Sequence, residues 1–89
     1  MAVSFARAIL PLFRLIDIQH MGLRGVHLDQ YPYMSDSAGD GTYADHAHAR
    51  AVYCYLTGDC TPRMPPGGPF WSTVQLQLYN QWMTDGFQA

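Results

Sequence analysis

The sequence predicts a single all-α domain in which three helices are joined by long irregular loops. Of its 89 residues, 48% are hydrophobic and 13% are aromatic, which is enough for one core, whereas a chain of this length is too short to build two. Apolar residues recur at helical spacing in three segments, and stretches rich in Gly and Pro separate these segments. We therefore treat residues 1–89 as one domain.

The first predicted helix has Ser4 as its N-cap and extends to about His20. Its apolar side consists of residues at helical spacing, namely Phe5, Ile9, Leu12, Phe13 and Ile16. Pro11 opens a second interpretation, in which an extended or kinked segment precedes a helix that begins near this residue. Gly22 and Gly25 mark the end of the segment.

Residues 25–41 predict a long loop, because Gly, Asp, Ser, Tyr and Pro follow one another there without a sustained period. Compact domains rarely contain so many residues without regular structure, so we expect this loop to be functional or mobile. Tyr31 and Tyr33 lie in it.

The second helix is predicted to begin at Thr42, whose side chain would cap the amide of Asp45. It is predicted to end at Leu56 or Thr57, before Gly58. The residues expected to face the core are Ala44, Ala51, Val52, Tyr55 and Leu56, with His46, Arg50 and Tyr53 on the other side.

Residues 58–69 are rich in Pro and Gly and predict a stiff, extended loop that presents Met64 in a defined direction. The third helix follows, with Ser72 and Gln75 as a capping box at its start, and it is expected to end at Gly86 in a left-handed conformation. Its expected apolar side consists of Val74, Leu76, Leu78, Tyr79, Trp82 and Met83, and its polar stripe of Thr73, Gln77, Asn80 and Thr84.

The charge distribution argues against nucleic acid as a partner. The net charge is -2, and the cations are five dispersed Arg residues with no Lys among them, whereas binding to phosphates requires clustered cations. No apolar stretch is long enough to span a membrane. Arg7 and Arg14 interrupt the apolar N-terminal segment, which is not typical of a secretory signal. We therefore expect a cytoplasmic protein.

The two cysteines, Cys54 and Cys60, are expected to be free thiols in that compartment. A metal site formed by Cys54, Cys60, His46 and His48 is a further hypothesis. Residues two apart on a helix point to nearly opposite sides, so both histidines could not bind one ion there.

The order of these parts resembles a class I c-type cytochrome. The resemblance rests on the N-terminal segment from Ser4 to Arg14, on the Met64-Pro65-Pro66-Gly67-Gly68-Pro69 loop, on the aromatic pair Tyr53 and Tyr55, and on the closing helix with Trp82 and Gly86. In that family a His within CxxCH and a Met on a later Pro-rich loop bind the haem iron. The resemblance implies His20 and Met64 as the corresponding ligands.

The CxxCH motif itself is absent, because Ile16 and Gln19 stand where the family has its two cysteines. Covalent haem is therefore excluded at this site. The resemblance then implies either noncovalent haem between His20 and Met64, or a haem-free domain whose vacated volume is filled by bulky side chains, among them Phe13, Met21, Met34, Phe70 and Trp71.

We predict the haem-free alternative, without a cofactor or a catalytic site, acting as an accessory subunit that contacts a larger partner enzyme. Sparse charge and the aromatic surplus favour contact, and a domain this small has little room for a ligand pocket. The predicted contact residues are Phe70 and Trp71 as anchors, with Met64, Tyr31 and Tyr33. That the partner is an oxidoreductase is an analogy with cytochromes. A haem-binding electron carrier and a metal-binding chaperone stay open as alternatives.

Overall fold

A computed structural model of the chain describes residues 3–65 and 67–89. Within them, regular structure is entirely helical, which confirms the predicted all-α class. The α-helices are Leu15–Gly22 (α1), Tyr31–Met34 (α2), Ala47–Thr57 (α3) and Thr73–Thr84 (α4), and a π-helical turn at Phe5–Ile9 and a 3₁₀ turn at Leu10–Leu12 precede them. Met1, Ala2 and Pro66, which belong to the predicted N-terminal segment and the predicted Pro-rich loop, lie outside the described residues.

The N-terminal segment is broken into short pieces, so the predicted continuous helix to His20 is wrong. The second interpretation, an extended or kinked segment before a later helix, is confirmed in outline, although the helix begins at Leu15 and not near Pro11. Ser4 caps the first turn as predicted, because its hydroxyl accepts a hydrogen bond from the Arg7 amide at 3.3 Å. After the 3₁₀ turn, Phe13 and Arg14 are extended, with ψ angles of 130° and 152°, and α1 begins only at Leu15. The break changes the helical phase, so Ile16, predicted to be in the core, is 66% exposed.

The start of α3 differs from the prediction because a local turn competes with the expected cap. The Asp40 carboxylate accepts hydrogen bonds from the Thr42 and Tyr43 amides at 2.8 and 2.9 Å, which holds this segment in a turn. The helix therefore begins at Ala47, and His46 precedes it in a left-handed conformation with a φ of 45°. The predicted loop at residues 25–41 also contains the short helix α2.

The residues that α3 buries match the prediction only in part. Ala44 is exposed and Tyr55 is 37% exposed, although both were predicted to be core residues. Val52 and Leu56 are buried as predicted. The predicted end of the helix is confirmed at Gly58, whose φ of 89° is left-handed.

The helix α4 follows its prediction most closely. The Ser72 amide donates to Gln75 Oε1 at 2.8 Å and the Gln75 amide donates to Ser72 Oγ at 3.2 Å, which completes the capping box. The predicted polar stripe is exposed throughout. Val74 is 73% exposed, contrary to prediction, because it points roughly 110° from the mean direction of the buried Tyr79 and Trp82.

The core is built around the inner side of α4, which packs against the π-helical turn and α3. The Trp82 ring lies 5.4 Å from the rings of Phe5 and Tyr79 and 5.2 Å from that of Phe87. Backbone hydrogen bonds tie the two ends of the described chain together, including one from the Phe5 amide to the Gln88 carbonyl at 3.0 Å. Among the described residues, no helix combines the length and apolar character needed to cross a membrane.

Cys54 and Cys60 form a disulfide, so the expectation of free thiols is wrong. The left-handed turn at Gly58 reverses the chain after α3, and the Cys60 amide donates to the Cys54 carbonyl at 3.0 Å. This turn leaves the two Cα atoms 5.1 Å apart, within the range that a disulfide bridges.

Candidate functional site

A cavity of about 160 Å³ lies beside α1 and α3, although the sequence suggested little room for one. Its wall is mainly apolar and contains four aromatic rings and two thioethers, from Phe13, Tyr33, Tyr55, Trp71, Met21 and Met64. Three further groups, Asp17, Asp40 and His48, add polar atoms to the wall. Tyr55 is 37% exposed, so the wall reaches the protein surface.

His48 is held in a defined orientation by Tyr33. The two rings stack at 3.9 Å with an angle of 12° between their planes, and His48 Nδ1 lies 2.9 Å from the Tyr33 carbonyl oxygen. A carbonyl oxygen can only accept, so Nδ1 must carry the proton of this hydrogen bond. In the neutral imidazole the lone pair is therefore on Nε2, which has no hydrogen-bond partner among the described residues.

Asp40 and Asp17 place two carboxylates in the wall by different means. The pKa of Asp40 is lowered, chiefly by hydrogen bonds from the Tyr43 and Thr42 amides and to a smaller extent by His48. Asp17 is 8% exposed and accepts two hydrogen bonds from Arg14, at 2.8 and 2.9 Å. The same side-chain hydrogen bonding raises the pKa of Arg14.

The outer side of α1 is a second unusual feature. Leu15, Ile16 and Leu23, at its start and just after its end, are 70%, 66% and 89% exposed. Gln19 and His20 lie between them and are also exposed. We call these five residues the α1 outer face. Scattered exposed aliphatic residues are common, but three within nine residues, on and just after one short helix, concentrate exposed apolar side chains in one region of the surface.

The structure brings four of the predicted site residues together at the cavity, namely Tyr33, His48, Met64 and Trp71. Met64 and Trp71 are 8% and 7% exposed. They were predicted as contact residues, but in this conformation they are buried and cannot meet a partner directly.

The other predicted contact residues lie apart from the cavity. Phe70 is 47% exposed, and the Arg63 guanidinium lies 4.4 Å from the centre of its ring. Tyr31 is half-buried, and its hydroxyl donates to the Phe87 carbonyl at 2.7 Å. Of the predicted contact set, Phe70 alone presents an exposed ring.

The two residues that the resemblance implied as haem ligands are not arranged for haem. His20 is exposed and is not part of the cavity wall, whereas Met64 is buried in it. A cavity of about 160 Å³ matches one benzene ring and is too small for the four pyrrole rings of a porphyrin. In this conformation the residues present do not fit a haem held between His20 and Met64.

The weakly predicted metal residues are also separated by their local structure. Cys54 and Cys60 are bonded to each other, and His46 stacks on Phe87 with ring centres 3.7 Å apart. In the part of the chain that the structure describes, no three side chains of His, Cys, Asp or Glu come close enough to hold one metal ion.

The carboxylates of the cavity and the α1 outer face were not predicted from the sequence. Asp40 lies within the predicted loop at residues 25–41, and the spacing of Arg14 and Asp17 was the available signal for a local ion pair. Comparison with protein-family models, curated proteins and solved structures finds no match to this chain.

Proposed function

We propose that this chain is an accessory subunit that binds a larger protein through the α1 outer face. The observation that carries this proposal is the 66–89% exposure of Leu15, Ile16 and Leu23. Covering an aliphatic side chain of this size contributes about 1.5–3 kcal/mol, so three of them supply a substantial part of a binding energy.

The size of the face favours a larger partner over a second copy of this chain. At about 1.5 Å per residue, α1 is only about 12 Å long. Three aliphatic side chains offer roughly 350 Å² when fully covered, from about 120 Å² each. A stable interface needs about 800 Å² per partner, so the partner must extend beyond this helix and enclose it in a groove.

Charge adds a second requirement for that groove. Arg24 follows Leu23 directly, is exposed, and has no acidic partner among the described residues. An apolar groove with a carboxylate at the end that receives Arg24 would therefore match this face. The expectation that the partner is an oxidoreductase rests on the cytochrome resemblance alone and stays a prediction.

Ile16→Glu is the decisive variant, and Val74→Glu is its matched control. Both replace a β-branched residue on a helix surface, at 66% and 73% exposure, so neither should unfold the protein. The tagged chain is purified from cells that naturally produce it, the retained protein is identified, and its affinity is measured with purified components. We expect Ile16→Glu to weaken that affinity at least about tenfold and Val74→Glu to leave it unchanged.

Two results would contradict the proposal. Equal weakening by both variants would mean that the α1 outer face is not the contact surface. A wild-type chain that sediments as a dimer, and becomes monomeric in Ile16→Glu, would assign the face to self-association instead.

The electron-carrier alternative stays a prediction with a direct test. A protein that binds haem through His20 and Met64 should keep a Soret band after reconstitution and gel filtration, and the band should shift in Met64→Ala. The poor fit of these residues to haem leads us to expect no retained band.

A further inference from the structure

We infer that the cavity is a binding site for a compact aromatic molecule that carries one hydrogen-bond donor, as phenol does. The cavity of about 160 Å³ is close to the roughly 150 Å³ of an apolar protein cavity that binds benzene. The part of the ligand that lies inside the cavity is thus limited to one six-membered ring with a small substituent.

The wall favours an aromatic ring over an aliphatic one. Phe13, Tyr33, Tyr55 and Trp71 bring aromatic rings to the cavity, and Met21 and Met64 bring sulfur atoms. Aromatic rings favour tilted or offset contacts with one another, and thioether sulfur packs favourably against a ring.

The polar groups of the wall are hydrogen-bond acceptors, so the substituent on the ligand ring should be a hydrogen-bond donor. In neutral His48, Nδ1–H is used by the Tyr33 carbonyl, so Nε2 is an acceptor. The carboxylates of Asp17 and Asp40 are also acceptors when ionised. Asp17 already receives two bonds from Arg14, and Asp40 Oδ1 receives two from backbone amides. His48 lines the cavity and its Nε2 has no hydrogen-bond partner among the described residues, so we assign it as the acceptor for a ligand hydroxyl.

The orientation of the His48 ring is fixed by its neighbours. It is held by stacking on Tyr33 and by the 2.9 Å hydrogen bond to the same residue, and the His27 ring packs edge-on against Tyr33 at 5.3 Å. A fixed acceptor discriminates between ligands because binding does not require it to reorient.

The test compares phenol, anisole and benzene by titration of the ¹H–¹⁵N spectrum of the full chain. Anisole keeps the ring and the oxygen but cannot donate. Because one neutral hydrogen bond contributes about 1 kcal/mol, we expect phenol to bind about fivefold more tightly than anisole. The amides of the wall residues should shift, and His48→Phe should reduce the preference for phenol to about one.

A cavity-filling variant locates the site. Ala51 lines the cavity and is half-buried, so Ala51→Leu should occupy the space and abolish phenol binding. Ala44→Leu makes the same change at an exposed position that is not part of the wall, and should bind phenol normally.

Three results would overturn the inference. These are the absence of any shift of wall residues at millimolar phenol, equal affinities for phenol and anisole in the wild type, and unchanged phenol binding in Ala51→Leu. The comparison of ligands uses the wild-type protein, so it remains decisive if His48→Phe does not fold.

Discussion

The Tyr79 hydroxyl supports a prediction in which one substitution lowers stability at neutral pH and raises it at high pH. Tyr79 is fully buried, and its hydroxyl donates to the Ala49 carbonyl at 2.8 Å. Tyr79→Phe removes this hydrogen bond, so the free energy of unfolding at neutral pH should fall by about 1 kcal/mol, within a range of about 0.5–1.5 kcal/mol.

The sign reverses at high pH because burial raises the pKa of Tyr79 well above its ordinary value of 10.0. In the unfolded chain this hydroxyl ionises near that ordinary value, whereas in the folded protein it stays neutral. The contribution of neutral Tyr79 to the free energy of unfolding is therefore fully present below pH 10 and is lost above it, at about 1.4 kcal/mol per pH unit. The wild type should lose about 1 kcal/mol by about pH 10.7, so the two stability curves should cross near that pH.

Urea denaturation of both proteins between about pH 7 and pH 11.5 measures the effect, and the difference between them cancels the contributions of the other groups. Tyr55→Phe is the control, since Tyr55 is 37% exposed and its hydroxyl has no partner among the described residues. Tyr55→Phe should leave the free energy of unfolding at neutral pH close to that of the wild type, because it removes no hydrogen bond between the described residues. A constant difference between Tyr79→Phe and wild type across this range would refute the reasoning.

Three further perturbations test local features. Reduction of the Cys54–Cys60 bond should lower the free energy of unfolding by about 2 kcal/mol for a closed loop of this length. In a Cys54→Ala/Cys60→Ala variant the free energy of unfolding should be lower by the same amount and should not change when reductant is added. Ser72→Ala should lower it by about 1 kcal/mol and Ser72→Gly by only a few tenths, as judged by thermal melts, and equal losses would exclude a capping role. The folded protein lowers the pKa of Asp40 below its ordinary value of 3.8, so the ionised carboxylate stabilises the fold above pH 3.8 and this stabilisation is lost as the pH falls further. The free energy of unfolding should therefore decrease less steeply with acid in Asp40→Asn than in the wild type, and an identical slope would contradict the assigned turn.

Local signals predicted α4 but not the beginning of α3. The capping box at Ser72 and the left-handed stop at Gly86 each act within a few residues, so the sequence contains all that determines them. The predicted helix start at Thr42 failed because Asp40, two residues earlier, binds the Thr42 and Tyr43 amides and holds these residues in a turn. Propensity does not decide between two competing local hydrogen-bond patterns; the packing of the rest of the chain does.

The cavity is beyond prediction from a single sequence because its walls come from distant parts of the chain. Phe13, Tyr33 and Trp71 meet there only after the helices have packed. The disulfide was missed for a different reason. Free thiols were predicted from the expected cytoplasmic location, whereas the turn at Gly58 determines how closely the two cysteines approach.

The break at Phe13 and Arg14 links the two proposed sites, since it determines which side of α1 faces inward. The inner side contributes Asp17 and Met21 to the cavity wall, and the outer side exposes Ile16. Had the helix continued from the N-terminal segment in phase, Ile16 would lie in the core. Substitutions of outward residues therefore test partner binding without changing the cavity wall. Ala51→Leu and His48→Phe change the wall without altering the outer face, so failure of one proposal leaves the other open to its own test.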